Sequence, residues 1–130
     1  MGNIKIDSSD RHTLLIIDDN REWTDLLSTF FSEKYDVRVS NSSANAVQMA
    51  IKAPPNVMIL DLVMPSLDGF GVIRRLKDNL TNVPTVLLTG WENADIQECA
   101  QSIGCAAVLS KSASLVELED AVSSALRRAA

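Results

Sequence analysis

Val57-Met58-Ile59-Leu60-Asp61 is a strand-length run with no polar interruption that stops on a carboxylate. A strand with one wet face alternates apolar and polar residues. A run that is apolar at every position suits a strand covered on both faces, as inside a parallel sheet. The same form recurs upstream, where Leu14-Leu15-Ile16-Ile17 ends in Asp18-Asp19. It recurs downstream, where Ala106 to Leu109 leads into Ser110-Lys111, and Val83 to Leu88, apolar apart from Thr85, reads as another strand that leads into Thr89-Gly90. Val37 and Val39 mark a shorter alternating strand that ends at Ser40-Asn41-Ser42, good capping chemistry for a following helix.

Between these runs the apolar residues fall at helical spacing. Trp23, Leu26, Leu27, Phe30 and Phe31 mark one face of a first helix. Ala44, Val47, Ala50 and Ile51 mark a second, which Pro54-Pro55 stops. Asp68-Gly69 opens a third with Ile73 and Leu76 inward, and Ile96, Cys99, Ala100 and Ile103 line a fourth that Gly104 closes. The last begins with a capping box, Ser114 to Glu117, turns Leu115, Leu118, Val122 and Ala125 inward, and places Arg127 and Arg128 at the negative end of its dipole. Strict alternation of strand and helix implies an α/β fold: a doubly wound, five-stranded parallel sheet of order 2-1-3-4-5, flanked by five helices and flavodoxin-like.

The 130 residues, 46% of them hydrophobic, make one domain with one shared core. Its unit is expected over residues 12–128, after a flexible N-terminal tail over 1–11. The apolar runs fall far short of the roughly 20 residues that a membrane span needs. No basic-then-apolar leader precedes the patterned region, and Ile6 stands where myristoylation wants Ser or Thr, so a cytoplasmic protein without membrane attachment is expected. Seventeen acids against 12 bases give a net charge of −5, the wrong sign for neutralising phosphates, so direct nucleic-acid binding is not expected. Cys99 and Cys105 lack metal-ligand spacing and read as small buried hydrophobes rather than a redox pair.

In a doubly wound sheet the ligand site lies at the carboxyl ends of the strands, beside the point where strand order reverses. That rule gathers Asp18, Asp19, Asp61, Thr89 and Lys111 from four strand ends. Clustered carboxylates repel and call for a cation. With only oxygen donors on offer, Mg²⁺ suits the set better than zinc. A lysine and a hydroxyl alongside are what the free oxygens of a phosphoryl group require. Taken singly, each feature has another reading: Asp18, Asp19 and Asp68 are also placed to cap helices, and Lys111 to be a solvated loop residue.

Ile16-Ile17-Asp18-Asp19-Asn20, Asp61-Leu62-Val63-Met64-Pro65 with Asp68-Gly69, Leu88-Thr89-Gly90, and Lys111 together resemble the receiver domain of bacterial two-component response regulators, the fold of the chemotaxis regulator. The likeness runs from about His12 to Arg128. It implies that Asp61 is the phosphoacceptor, taking a phosphoryl group from a phosphohistidine on a partner histidine kinase or phosphotransfer protein. It further implies Asp19 as a direct Mg²⁺ ligand, Asp18 acting largely through water, Asp61 itself and the Val63 carbonyl as further ligands, with Thr89 and Lys111 contacting the phosphoryl group. Such a domain is a switch with slow self-dephosphorylation rather than a turnover enzyme. Its output is expected through a downstream effector or an output domain outside this chain, and the family's usual surface also admits a homodimer.

The sequence departs from the family pattern at two places. Ser112 stands where proline usually follows the lysine, so a trans Lys111–Ser112 bond and a rearranged loop are expected, since a cis bond before a non-proline costs about 2.5–4 kcal/mol. Val108 replaces the aromatic residue that usually couples to the hydroxyl of Thr89. Trp91 and Val63 are candidates for screening an acyl phosphate from water. Arg74, Arg75 and Lys77 read as a solvated face with docking as the lesser alternative, and His12 as structural. Two other readings remain open. One is an aspartyl-nucleophile phosphatase, although Val63 occupies the place of its usual general acid. The other is an atypical receiver that works by protein contacts without phosphorylation.

Overall fold

The computed structural model describes residues 11–65, 67–90 and 93–129. Strands and helices alternate as β1 (Thr13–Ile17), α1 (Arg21–Phe31), β2 (Asp36–Ser40), α2 (Ser43–Lys52), β3 (Val57–Asp61), α3 (Gly69–Asp78), β4 (Thr85–Thr89), α4 (Ala94–Ile103), β5 (Ala107–Ser110) and α5 (Leu115–Ala129). The sheet is parallel throughout, in the order β2-β1-β3-β4-β5. No helix among the described residues is long and apolar enough to cross a membrane.

Alternation of side chains along each central strand divides the core into two layers. Leu15, Ile17, Met58, Leu60 and Leu87 meet α2 and α3 on one face. Leu14, Ile16, Val57, Ile59, Val86 and Leu88 meet α1 and α5 on the other. Both faces are therefore dry, which is why the strands carry no polar interruption. The register Ile17↔Leu60 and Asp61↔Leu88 brings the ends of β1, β3 and β4 level, so the residues just beyond them share one rim.

Helix ends follow the local chemistry. Asn20, Ser42, Asp68 and Asn93 each accept a backbone N–H of the first turn of the helix they precede. Ser114 and Glu117 exchange the two bonds of a capping box at α5. Gly104, at φ 83°, closes α4 in the left-handed region.

Several details differ from the sequence-based expectations. β4 starts two residues later than expected and β5 one, and each runs one residue further, ending on Thr89 and Ser110. Leu26 and Ala44 face solvent, and Thr24, Ser43 and Ala46 hold the inward positions instead. On α4 only Ala100 is buried. Cys99 and Cys105 are half-buried free thiols, and burial pushes the Cys105 thiol up to about 11. Arg74 and Arg75 are exposed, as a solvated face should be, but Lys77 donates to the Ile103 carbonyl and so ties α3 to the end of α4. Arg128 reaches across to the Ala106 carbonyl at 2.9 Å, besides its place at the end of the α5 dipole. The Lys111–Ser112 bond is trans, since no cis peptide occurs among the described residues. Trp91 and the tail up to residue 10 lie outside them.

Candidate functional site

Asp18 and Asp19 leave the end of β1, Asp61 ends β3, and Lys111 follows β5 directly. One carboxylate oxygen from each of Asp18, Asp19 and Asp61 lies within 4.8 Å of the other two. The Lys111 ammonium stands 3.2 Å from Asp18 Oδ2 and 3.2 Å from Asp61 Oδ2. A cleft of about 380 Å³ opens over them, completed by Asn20, Val63 and Gly90. Asp18 and Asp61 are 2% and 3% exposed, whereas Asp19 is open to solvent, so one carboxylate stands at the mouth and two at the floor.

Backbone donors fix the two floor carboxylates in the same way. Asn20 N–H donates to Asp18 Oδ1 at 3.0 Å and Val63 N–H to Asp61 Oδ1 at 3.3 Å. Both Oδ2 atoms are thereby turned to the same side, where Lys111 meets them. Just past β2, the Asn41 amide donates to the Asp18 carbonyl and to Thr24 Oγ1, pinning the β1–α1 turn. Burial pushes the Asp61 carboxyl above the ordinary carboxylate range and the Asp18 charge adds to this, with Lys111 and the Val63 N–H opposing but not cancelling them. For Lys111, partial burial favours the neutral amine, yet the charges of Asp18 and Asp61 hold its pKa above the ordinary lysine value.

The donor set passes a test for a hard cation. Asp18 Oδ2 is buried with no well-directed hydrogen-bond donor, only the Lys111 charge nearby. Three clustered carboxylates face one lysine, and every side-chain donor is oxygen, the set that Mg²⁺ or Ca²⁺ takes. Thr89 ends β4, fully buried, one residue past Leu88, the register partner of Asp61, and opposite Ser110 on β5. Val63 lines the cleft and is 55% exposed. The structure thus brings Asp18, Asp19, Asp61, Val63 and Lys111 around one cleft with Thr89 beside it. Asn41 and Ser110 belong to the same rim and were not singled out from sequence. Their roles depend on loop hydrogen bonds that leave no trace in spacing.

A family model, the response regulator receiver domain, matches residues 14–123. The chain belongs to that family. Among curated relatives of this receiver domain are the transcriptional regulatory protein TrcR of Mycobacterium tuberculosis, 28% identical over 116 residues, and the response regulator MprA of Mycobacterium leprae, 29% identical over 116 residues. Each alignment takes in 88% of this chain but only 45% and 51% of the relative, so the receiver domain spans about half the length of these proteins. Solved structures agree on the fold. The receiver domain of Francisella response regulator 1452 superimposes with a TM-score of 0.86 at 23% identity, covering 92% of this chain and 100% of that one. The chemotaxis protein CheY4 of Vibrio cholerae gives 0.75 at 23% identity, covering 86% and 98%.

Proposed function

We propose that this receiver domain is the phosphoacceptor of a two-component signalling system, phosphorylated on Asp61 by a partner histidine kinase or phosphotransfer protein. The observation that carries the reading is the meeting of three carboxylates within 4.8 Å with one ammonium 3.2 Å from two of them. An Asp61 carboxylate oxygen attacks the phosphorus of a phosphohistidine. The new P–O bond forms as the P–N bond breaks, and the imidazole leaves with the electron pair of that bond. The chain's task is to position and neutralise, since the transferring phosphoryl group asks for little covalent help. Lys111 draws off negative charge at the rim, and Thr89 at the end of β4 is the hydroxyl assigned to the phosphoryl oxygens. Asp18, Asp19, Asp61 and the Val63 carbonyl would hold Mg²⁺, which when bound offsets the charge that three carboxylates and a phosphoryl group bring together.

Turnover is not part of the reading. A phosphatase of the aspartyl type uses a second acid two positions after its nucleophile, and Val63 has no proton to give. The acyl phosphate instead persists until slow hydrolysis and alters what the domain docks against, either an effector protein or an output domain. Intact mass after incubation with acetyl phosphate and Mg²⁺ tests this: one phosphoryl mass gained by the parent chain and none by Asp61→Asn supports it. Equal gain by both, or catalytic turnover of a generic phosphate ester, overturns it.

A further inference from the structure

The Lys111 ammonium must reach two buried carboxylates from a backbone position that lies just past the end of β5. A lysine side chain is flexible, so its aim depends on how firmly the backbone at its root is held. On the side of the sheet that anchor is the Lys111 N–H, which donates to the Thr89 carbonyl at 2.9 Å. On the other side, two successive N–H groups turn back on a single residue. Ser112 N–H donates to Ser110 Oγ at 3.1 Å, and Ala113 N–H donates to the Ser110 carbonyl at 3.0 Å. The hydroxyls of Ser110 and Ser112 then pair at 2.8 Å.

Ser110 therefore closes the turn around Lys111 with both its side chain and its carbonyl, while its own Cα is paired with Thr89 across the sheet. A proline after Lys111 would bring no N–H to that point. Ser112 brings one, and Ser110 Oγ is the acceptor that receives it. We propose that Ser110 is a positioning residue that aims the Lys111 ammonium at Asp18 and Asp61 through this hydroxyl-closed turn. The inference rests on the phosphoacceptor reading for its functional consequence.

The test is the initial rate of Asp61 labelling by acetyl phosphate at saturating Mg²⁺, with Mg²⁺ affinity measured in parallel. Ser110→Ala is expected to slow labelling about tenfold, a loss typical of a modest misplacement at a reacting centre, while Mg²⁺ affinity does not fall, because Lys111 is not a metal ligand and its charge opposes a cation at the two carboxylates it contacts. Ser110→Thr, which restores the hydroxyl, should recover the parent rate. Ser112→Ala keeps the N–H and should remain near it. In a Lys111→Ala background, Ser110→Ala should add nothing. A parent rate in Ser110→Ala, no recovery in Ser110→Thr, or an undiminished loss without Lys111 overturns the inference while leaving Asp61 as acceptor. A parent chain that takes no label at Asp61 overturns the phosphoacceptor reading itself and the inference with it.

Discussion

Leu80 holds a left-handed backbone, φ 57°, with its side chain 96% exposed, so no packing offsets the conformation. Its N–H donates to the Lys77 carbonyl and the Thr81 N–H to the Leu76 carbonyl, the paired bonds by which a helix closes on a left-handed residue. Glycine takes that shape without a Cβ penalty. Leu80→Gly is therefore expected to raise stability by about 0.5–1 kcal/mol, read as a higher denaturant midpoint at unchanged slope. An equal or lower midpoint contradicts this. At the same scale Gly69 shows the opposite constraint, set by space. A Cβ there would stand 2.9 Å from the Asp61 carbonyl and 3.0 Å from Leu62 Cα, both backbone atoms with little room to move. Gly69→Ala is expected to cost about 1–3 kcal/mol as overpacking, and to slow Asp61 labelling because the strain falls on the β3 end that carries the acceptor.

Elements were legible from sequence where burial has one simple cause. The central strands are dry on both faces, and their runs therefore announced both strand and parallel sheet. Caps at Asp68, Gly104 and Ser114 were legible because each satisfies a backbone group within a few residues. The inward faces of α1 and α2 were less so. Thr24 and Ser43 are buried although polar, since the Thr24 hydroxyl donates to the Arg21 carbonyl and accepts from Asn41, and the Ser43 hydroxyl donates to the Pro65 carbonyl. Hydropathy spacing does not register such satisfaction, so Leu26 and Ala44 looked inward instead. The site followed the same rule: acids and a lysine at strand ends were visible, whereas the Ser110 turn and the Asn41 tie exist only through folding. At α5 the Ser114 cap has a measurable weight. Ser114→Ala is expected to lower stability by about 1 kcal/mol without changing Mg²⁺ affinity, as denaturant melts with and without the ion would show.

Across the whole molecule, the acidic rim couples stability to pH and to cations. The Asp61 carboxyl titrates above its ordinary value, so the folded chain holds that proton more tightly than the unfolded chain does. Stability from this group is then full below the unfolded carboxylate range and is lost as pH rises through the raised folded value. Asp61→Asn removes that loss and is expected to melt at a higher temperature than the parent near neutral pH in chelator; a lower melting temperature contradicts the assignment. Mg²⁺ at a hundredfold its Kd should stabilise the parent by about 2.7 kcal/mol through mass action, and Asp19→Ala should lose most of that gain. The central claim is that these distant strand ends make Asp61 the cation-assisted acceptor of a phosphoryl group. Peptide mass spectrometry after borohydride trapping tests it most directly, on chain treated with acetyl phosphate in Mg²⁺ and in chelator. The expected result is reductive conversion of Asp61 to homoserine in the Mg²⁺ sample alone. Trapping at another carboxylate, or at Asp61 equally in both samples, would contradict it.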